Sequence, residues 1–540
     1  MQPTEQQELI LKHDGNAVII AAPGSGKTFV ISQKIRSILT SCHQYHGVIA
    51  ISFTKKASGE LKERCLKNGL DPKSSFFGTI DKFYIGEIII PFGKQIWKQT
   101  GDDFSTPKIS TLDEEQQRAF EWVKVDNPID GVSDEQIDIL RGFFKQGIIP
   151  LETVDILANY IFRNSLACRK YLKARYKAIY IDEYQDCGSN QHLLFEQIVA
   201  LGITGVAVGD INQSIYAFSG KSSKYLSGLT SSPNFKTFKL DKNHRCHPSV
   251  INYSNYLLDP NIEMLPTSSS VVKLYSVDGD ETQIAAWLDQ IIAKIAAQQI
   301  KNNQIGILTK SNRTSDLINQ HLKAPHKLIA TTDLDLSLTI WSGIFSNLLH
   351  FAYDPSFRFI EVIEEFVSFD KLSPDTRRKL VKFRAQIKTL FAEAPLNIPE
   401  VVNVFTEIAE QLAPKSKTQE SVKLLSQILN LPTQLDAYKP TNENDVNIMT
   451  LHKSKGLEFD VVLHLDLHEW VFPSKYPDNG EVRFHDYFQD LNLHYVGITR
   501  ARKGCLLVTS TKRTNKDGDI KNGAPSEFLF KDGIEKLRAK

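Results

Sequence analysis

The sequence predicts an α/β fold of two parallel-sheet cores, each interrupted by a mainly helical insertion. Three observations predict it: short apolar runs without alternation, a glycine-rich turn leading from one such run straight into a helix, and two long stretches of helix formers between the run-rich blocks. A strand covered by helices on both faces reads as one continuous apolar run, which is why unalternated runs point to parallel sheets.

The elements follow in order. Residues 16–22, with Val18, Ile19 and Ile20, form the first expected buried strand, and 28–39 carry helical periodicity through Val30, Ile31, Ile35, Ile38 and Leu39. Further buried strands are expected at 47–52, 178–181, 205–208 and 461–465. Two mainly helical stretches lie between, 84–177 and 354–438, with clear helix formers at 113–123 and 374–391 and an exposed turn at 414–419. No internal repeat or low-complexity tract interrupts them.

At 540 residues the chain exceeds one core and should divide into roughly three or four domains. Its 41% hydrophobic and 24% charged residues are ordinary for a globular protein. No apolar stretch of about 20 residues predicts a membrane span, and Met1–Glu5 lacks the basic-then-apolar pattern of a signal peptide, so a cytoplasmic chain with no membrane partner is expected. The six cysteines have no metal-like spacing and read as unpaired thiols. Net charge is +1, so a polyanion partner would have to be met by charge confined to a groove.

The turn after the first strand is Ala21-Ala22-Pro23-Gly24-Ser25-Gly26-Lys27-Thr28. A strand, a glycine turn and a helix N-terminus together make a phosphate cradle, with Gly24 and Gly26 permitting the tight turn and backbone N–H groups facing phosphate oxygens. Lys27 is expected to reach the β/γ-phosphates of ATP and Thr28 to ligate Mg²⁺. Ala21 stands where a strict P-loop has its first glycine. A second strand ends in Asp182-Glu183, which suits Asp182 for Mg²⁺ and Glu183 for the base that polarises the attacking water.

Asp182-Glu183-Tyr184-Gln185-Asp186 closely resembles the signature of UvrD/Rep-type superfamily 1 DNA helicases, and the resemblance runs nearly end to end. Thr4-Glu5-Gln6 resembles the Q motif, residues 52–57 motif Ia, 78–83 motif Ib, 208–216 motif III, 240–245 motif IV, 450–459 motif V and 495–501 motif VI. The compact length resembles the UvrD-like helicase subunit of Gabija-type antiphage systems. The resemblance implies two RecA-like P-loop cores in a 1A/1B/2A/2B arrangement: 1A over 1–83 and 179–243, 1B over 84–178, 2A over 244–353 and 439–540, and a reduced 2B over 354–438.

It also implies roles. Gln6 reads adenine, the loop Ala22–Thr28 holds phosphates, Gln213 senses the γ-phosphate, Arg245 and Arg500 act as arginine fingers, and Glu458 contacts the ribose. Phe53, Tyr216 and Phe218 are candidate stacking platforms for unpaired bases; Thr54, Lys55, Lys56, Thr79 and His452 are candidates for the DNA backbone. The implied partners are single-stranded DNA or a tailed duplex, with 3′-to-5′ polarity, and a separate OLD-family nuclease subunit. Departures from the family pattern are His244 where a tyrosine is usual, Phe218 for tryptophan, and 490–494 in place of a Glu/Arg-rich lead-in.

Overall fold

The computed structural model describes residues 3–98, 104–337, 339–355, 357–364, 366–367, 369, 372–414, 417–478, 480–515 and 517–539, with only the backbone of Lys55, Lys56 and Thr111. The strands in chain order are β1 (Ala17–Ala21), β2 (Gly47–Ile51), β3 (Phe76–Gly78), β4 (Tyr176–Ile181), β5 (Thr204–Gly209), β6 (Lys236–Leu240), β7 (Val272–Val277), β8 (Ile305–Thr309), β9 (His326–Leu328), β10 (Val446–Thr450), β11 (Phe459–His464), β12 (Lys475–Asp478), β13 (Glu481–Phe484), β14 (Ala501–Ser510), β15 (Lys512–Thr514) and β16 (Ile520–Asn522).

They build two six-stranded parallel sheets, ordered β3-β2-β4-β5-β1-β6 and β7-β14-β11-β8-β10-β9. The five expected runs fall on β1, β2, β4, β5 and β11, and the other strands of the two sheets were not anticipated. β2, β8, β10 and β11 are buried at every position, because helices cover both faces. The edge strand β6 instead carries exposed Lys236 and Lys239, which discourage further pairing.

Both sheets lie in one compact unit, 1–83 with 167–329 and 441–540; the second unit comprises 84–166 and 330–440. Two boundaries differ from expectation. β4 begins at Tyr176, so the expected 1B/1A border at 178/179 cuts a strand. The charged Lys177 hid the start, yet it points outward while Tyr176 is buried. The helix Ile340–Tyr353, expected in 2A, packs with the helical insertion: Trp341, Ile344, Phe345, Leu348 and Leu349 share a core with Val401, Phe405 and Leu425. A helix apolar nearly all round has to be buried among other helices, and the Asp354-Pro355 punctuation marked its end rather than a domain border.

Within the second unit, helix Pro374–Ala392 matches the expected stretch, whereas the expected helix at 113–123 is regular only over Glu114–Arg118. A capping box at Asp113 and Gln116 starts that helix and a turn ends it, with Trp122 Nε1 donating to Ala119 O at 2.9 Å. Among the described residues no helix is long and apolar enough to cross a membrane.

Candidate functional site

Every strand of the first sheet presents a candidate residue just beyond its carboxyl end: Ala22–Thr28 after β1, Phe53 after β2, Thr79 after β3, Asp182 after β4, Gln213 after β5 and Arg245 after β6. In an open parallel sheet that edge gathers the loops of sequentially distant segments, and ligands bind there.

The turn after β1 requires its glycines. Gly24 and Gly26 have φ of +67° and +88°, and a Cβ at either would meet a neighbour at 2.6 Å (Arg245 Cβ and Asn243 Oδ1 for the first, Gln7 Nε2 for the second). Ala22 N donates to Leu240 O at 2.9 Å and Ser25 N to Ala22 O at 3.2 Å, with Pro23 buried between. The helix Lys27–Ser41 starts at Lys27, so Thr28 sits in its first turn among amides that no helical carbonyl satisfies. Ser25 Oγ is buried and lacks a hydrogen-bond partner among the described residues. Helix amides, a buried free hydroxyl and a lysine converging on one turn suit a phosphate.

Around Lys27 the charges are buried and paired. Its Nζ lies 2.8 Å from Glu183 Oε1, and Gln185 Nε2 donates to Glu183 Oε2 at 2.5 Å. Burial opposes the Lys27 charge, but the Glu183 and Asp182 carboxylates outweigh it and raise the pKa above its ordinary value. Burial likewise works against the Glu183 charge, and Lys27 and Lys455 together hold that carboxyl well below the usual range. Asp182 goes the other way, pushed up by burial and by the neighbouring Glu183 charge. Two adjacent acids with pKa values driven apart can take different roles, and Glu183 is the one kept ionised. Its backbone is left-handed (φ 58°), a conformation held by its place at the strand tip.

Thr28 and Asp182, the residues expected to meet Mg²⁺, lie in the first turn of the helix Lys27–Ser41 and, buried, just beyond β4. Among the described residues no group of three His, Cys, Asp or Glu could hold a metal by itself. Two protein oxygens completed by phosphate and water are what magnesium commonly uses.

Two arginines complete the cluster, Arg245 after β6 of the first sheet and Arg500 just before β14 of the second. Arg500 is 2% exposed, and its Nη2 donates to Gln213 Oε1 at 3.2 Å and to Thr499 Oγ1 at 3.3 Å, while Nη1 reaches Leu457 O at 3.3 Å. Burial, then the Arg245 charge, lower its pKa to about 10, still fully cationic at neutral pH. Arg245 Nη2 pairs with Glu458 Oε1 at 2.6 Å, so the expected finger and the expected ribose contact hold each other. Gln6 Oε1 accepts from Asp241 N at 3.2 Å, and the His244 amide donates to Gly24 O at 3.0 Å.

Several contributors escaped the sequence reading. Gln7, not only Gln6, serves the turn: it completes a capping box with Thr4 and its Nε2 donates to Ser25 O at 3.0 Å. Asn243 Oδ1 accepts from the Arg245 and Cys246 amides, and Asp210 Oδ2 accepts from Gln213 Nε2 at 2.7 Å. The largest omission is Lys455. Its side chain is 7% exposed, and its Nζ lies 2.5 Å from Asp186 Oδ2, donates to Gln213 O at 2.7 Å and sits 3.9 Å from Glu183 Oε2. Burial lifts Asp186 to about 6 although Lys455 opposes the rise. Both residues stand inside quoted motifs; only their pairing was invisible.

Beside this cluster the candidate stacking residues converge. Phe53 and Tyr216 stack with centroids 4.8 Å apart at 26°, and Phe218 and His452 lie 6.0 Å and 5.8 Å from Tyr216. Lys455 Nζ stands 5.2 Å from the Tyr216 ring centre. Phe218 is 64% exposed and Phe53 38%. His452, expected at the phosphate backbone, belongs to this aromatic group; burial lowers its pKa, and its Nε2 has no hydrogen-bond partner among the described residues. Thr54 spends its hydroxyl capping the helix Lys55–Leu66 through the Ala57 amide at 3.1 Å, and Thr79 is half-buried before Ile80–Phe83. The side chains of Lys55 and Lys56 lie outside the described residues.

Two family models match the chain: an AAA domain over residues 6–219 and a UvrD-like helicase C-terminal domain over 355–513. Among similar proteins, Gabija protein GajB of Bacillus cereus is 25% identical over 94% of this chain and 95% of its own length. ATP-dependent DNA helicase PcrA of Bacillus subtilis is 23% identical over 94% and 82%, and ATP-dependent DNA helicase Rep of Buchnera aphidicola 23% over 99% and 98%.

Proposed function

We propose that this chain, matched by an AAA domain model and a UvrD-like helicase C-terminal model, is a helicase of that family that hydrolyses ATP to move along single-stranded DNA with 3′-to-5′ polarity. Lys27 and the amides of Gly24–Thr28 bind the phosphates, Thr28 and Asp182 hold Mg²⁺, which neutralises phosphate oxygens when bound, and ionised Glu183 orients the attacking water. Arg500 and Arg245 spread positive charge over the transferring phosphoryl group. The aromatic group takes bases by their faces, without sequence preference. Domain limits follow the same reading: two RecA-like cores with insertions, 2B widened to begin at Ala330.

One observation carries the proposal. Gln213 is held by Arg500 through its side chain and by Lys455 through its carbonyl, and three residues later Tyr216 stacks on Phe53. A change at the phosphate end therefore has a short covalent path to the bases. The proposed setting is antiphage defence beside a separate OLD-family nuclease; for the setting, the support is similarity to a Gabija protein. The compact second insertion favours a second reading, a DNA-stimulated ATPase that senses DNA ends and activates that nuclease without processive unwinding.

Purified protein with ATP and duplexes tailed at the 3′ or the 5′ end separates these readings. Unwinding of the 3′-tailed duplex supports the motor. Turnover stimulated by single strands without unwinding supports the sensor, and turnover indifferent to DNA removes both.

A further inference from the structure

Between β11 and the helix Tyr487–Thr499 the chain makes the antiparallel hairpin β12–β13, which among the described residues is a sheet of two strands only. Its root is fixed. Lys310 Nζ donates to Val471 O, Ser474 Oγ and Asp490 Oδ1, each at 2.5 Å, and Ser474 N donates to Asp490 Oδ2 at 2.6 Å. Lys475 pairs with Glu527 at 2.7 Å. Every residue of β13 is exposed, Val482 by 54% and Phe484 by 42%.

The free edge of β13 follows from the register. Lys475 faces Phe484, Tyr476 faces Arg483, Pro477 faces Val482 and Asp478 faces Glu481. His485 N donates to Ser474 O, and antiparallel hydrogen bonds alternate, so the bonded pairs are 474/485, 476/483 and 478/481. Pro477, which has no N–H, therefore sits on the outer edge of β12 and blocks growth there. On the other side the N–H and C=O groups of Val482 and Phe484 point outward, with no proline and no bulge to discourage a partner.

The edge is complementary to itself. About an axis at Val482, an antiparallel second copy sets Val482 opposite Val482, Glu481 opposite Arg483 and Arg483 opposite Glu481. Pro477, Val482 and Phe484 share one face of the hairpin, so the apolar residues of two copies join into one strip. Arg483 pairs with Asp478 of its own hairpin through Nη1 at 2.9 Å and lies 3.9 Å from Glu481 through Nη2; ion pairs on such exposed side chains are weak enough to exchange for or share with cross-strand ones.

We propose that β13 is a self-docking edge through which two copies of this chain pair, making a four-stranded sheet with two-fold symmetry. The interface is isologous, the commonest form of closed association.

Sedimentation velocity of the full chain from about 1 to about 100 µM reads the association directly. Wild type should dimerise with concentration. Glu481→Lys or Arg483→Glu alone sets like charges opposite each other twice per dimer and should raise the dissociation constant at least about tenfold. An equimolar mixture of those two variants restores both opposite-charge pairs and should dimerise again as a heterodimer. Val482→Pro, which removes the N–H at the axis, should be monomeric. A wild type that stays monomeric across the range overturns the proposal, as does a dimer indifferent to Val482→Pro or a mixture no tighter than its components. The two charge changes lie on exposed side chains, so their outcome does not depend on a damaged fold.

Discussion

Around Lys27 and Glu183 the side chains are buried, charged and paired almost one to one, whereas around Tyr216 and Phe218 they are neutral, aromatic and partly open to solvent. The first region gains from a low dielectric, where each charge acts strongly on phosphate oxygens and on its neighbours' pKa values. The second needs exposed π faces and tolerates any base, so a fixed charge pattern would add nothing to it. Lys455 belongs to both, gripping Asp186 and the Gln213 carbonyl while its ammonium stands over Tyr216.

If the charged region hydrolyses ATP, Lys27→Ala should abolish turnover, the largest effect of all; a rate near wild type would refute the phosphate assignment. Glu183→Gln should keep nucleotide binding and slow hydrolysis by about 10²- to 10⁴-fold. Lost nucleotide affinity in that variant, measured by titration with a fluorescent analogue, would make Glu183 structural instead. Lys455→Met should break the link between the regions. Single-strand stimulation of turnover should fall by the span of a typical coupling energy, about 1–3 kcal/mol or roughly 5- to 150-fold, while single-strand binding without nucleotide persists. Equal loss of stimulation and of binding would show that Lys455 serves the aromatic group alone. The smallest effect belongs to the open region: Tyr216→Ala should cost about 1–3 kcal/mol of single-strand affinity, Phe218→Ala less, both followed by anisotropy. Unchanged affinity in both variants would remove the stacking role.

Legibility in the sequence followed how local each signal was. The apolar runs of β1, β2, β4, β5 and β11 were readable because burial on both faces leaves no alternation, and the turn at Gly24–Thr28 because only glycine tolerates its dihedrals at Gly24 and Gly26. The start of β4 was missed by two residues, since a strand can turn one charged side chain outward without ending. The helix Ile340–Tyr353 was assigned to the wrong neighbour, since apolarity tells that a helix is buried but not against what.

By itself the sequence determined the α/β class, the phosphate turn, the acids at the tip of β4 and the order of motifs from Gln6 to Arg500, all properties of contiguous residues. Only the tertiary structure decided that Arg500 meets Gln213, that Arg245 is held by Glu458, that Gln7 braces Ser25, and that Lys455 ties Asp186 to the carbonyl before Tyr216. Those contacts join residues 18 to 287 positions apart, carried on loops at the ends of different strands, and no local pattern encodes which loops will meet.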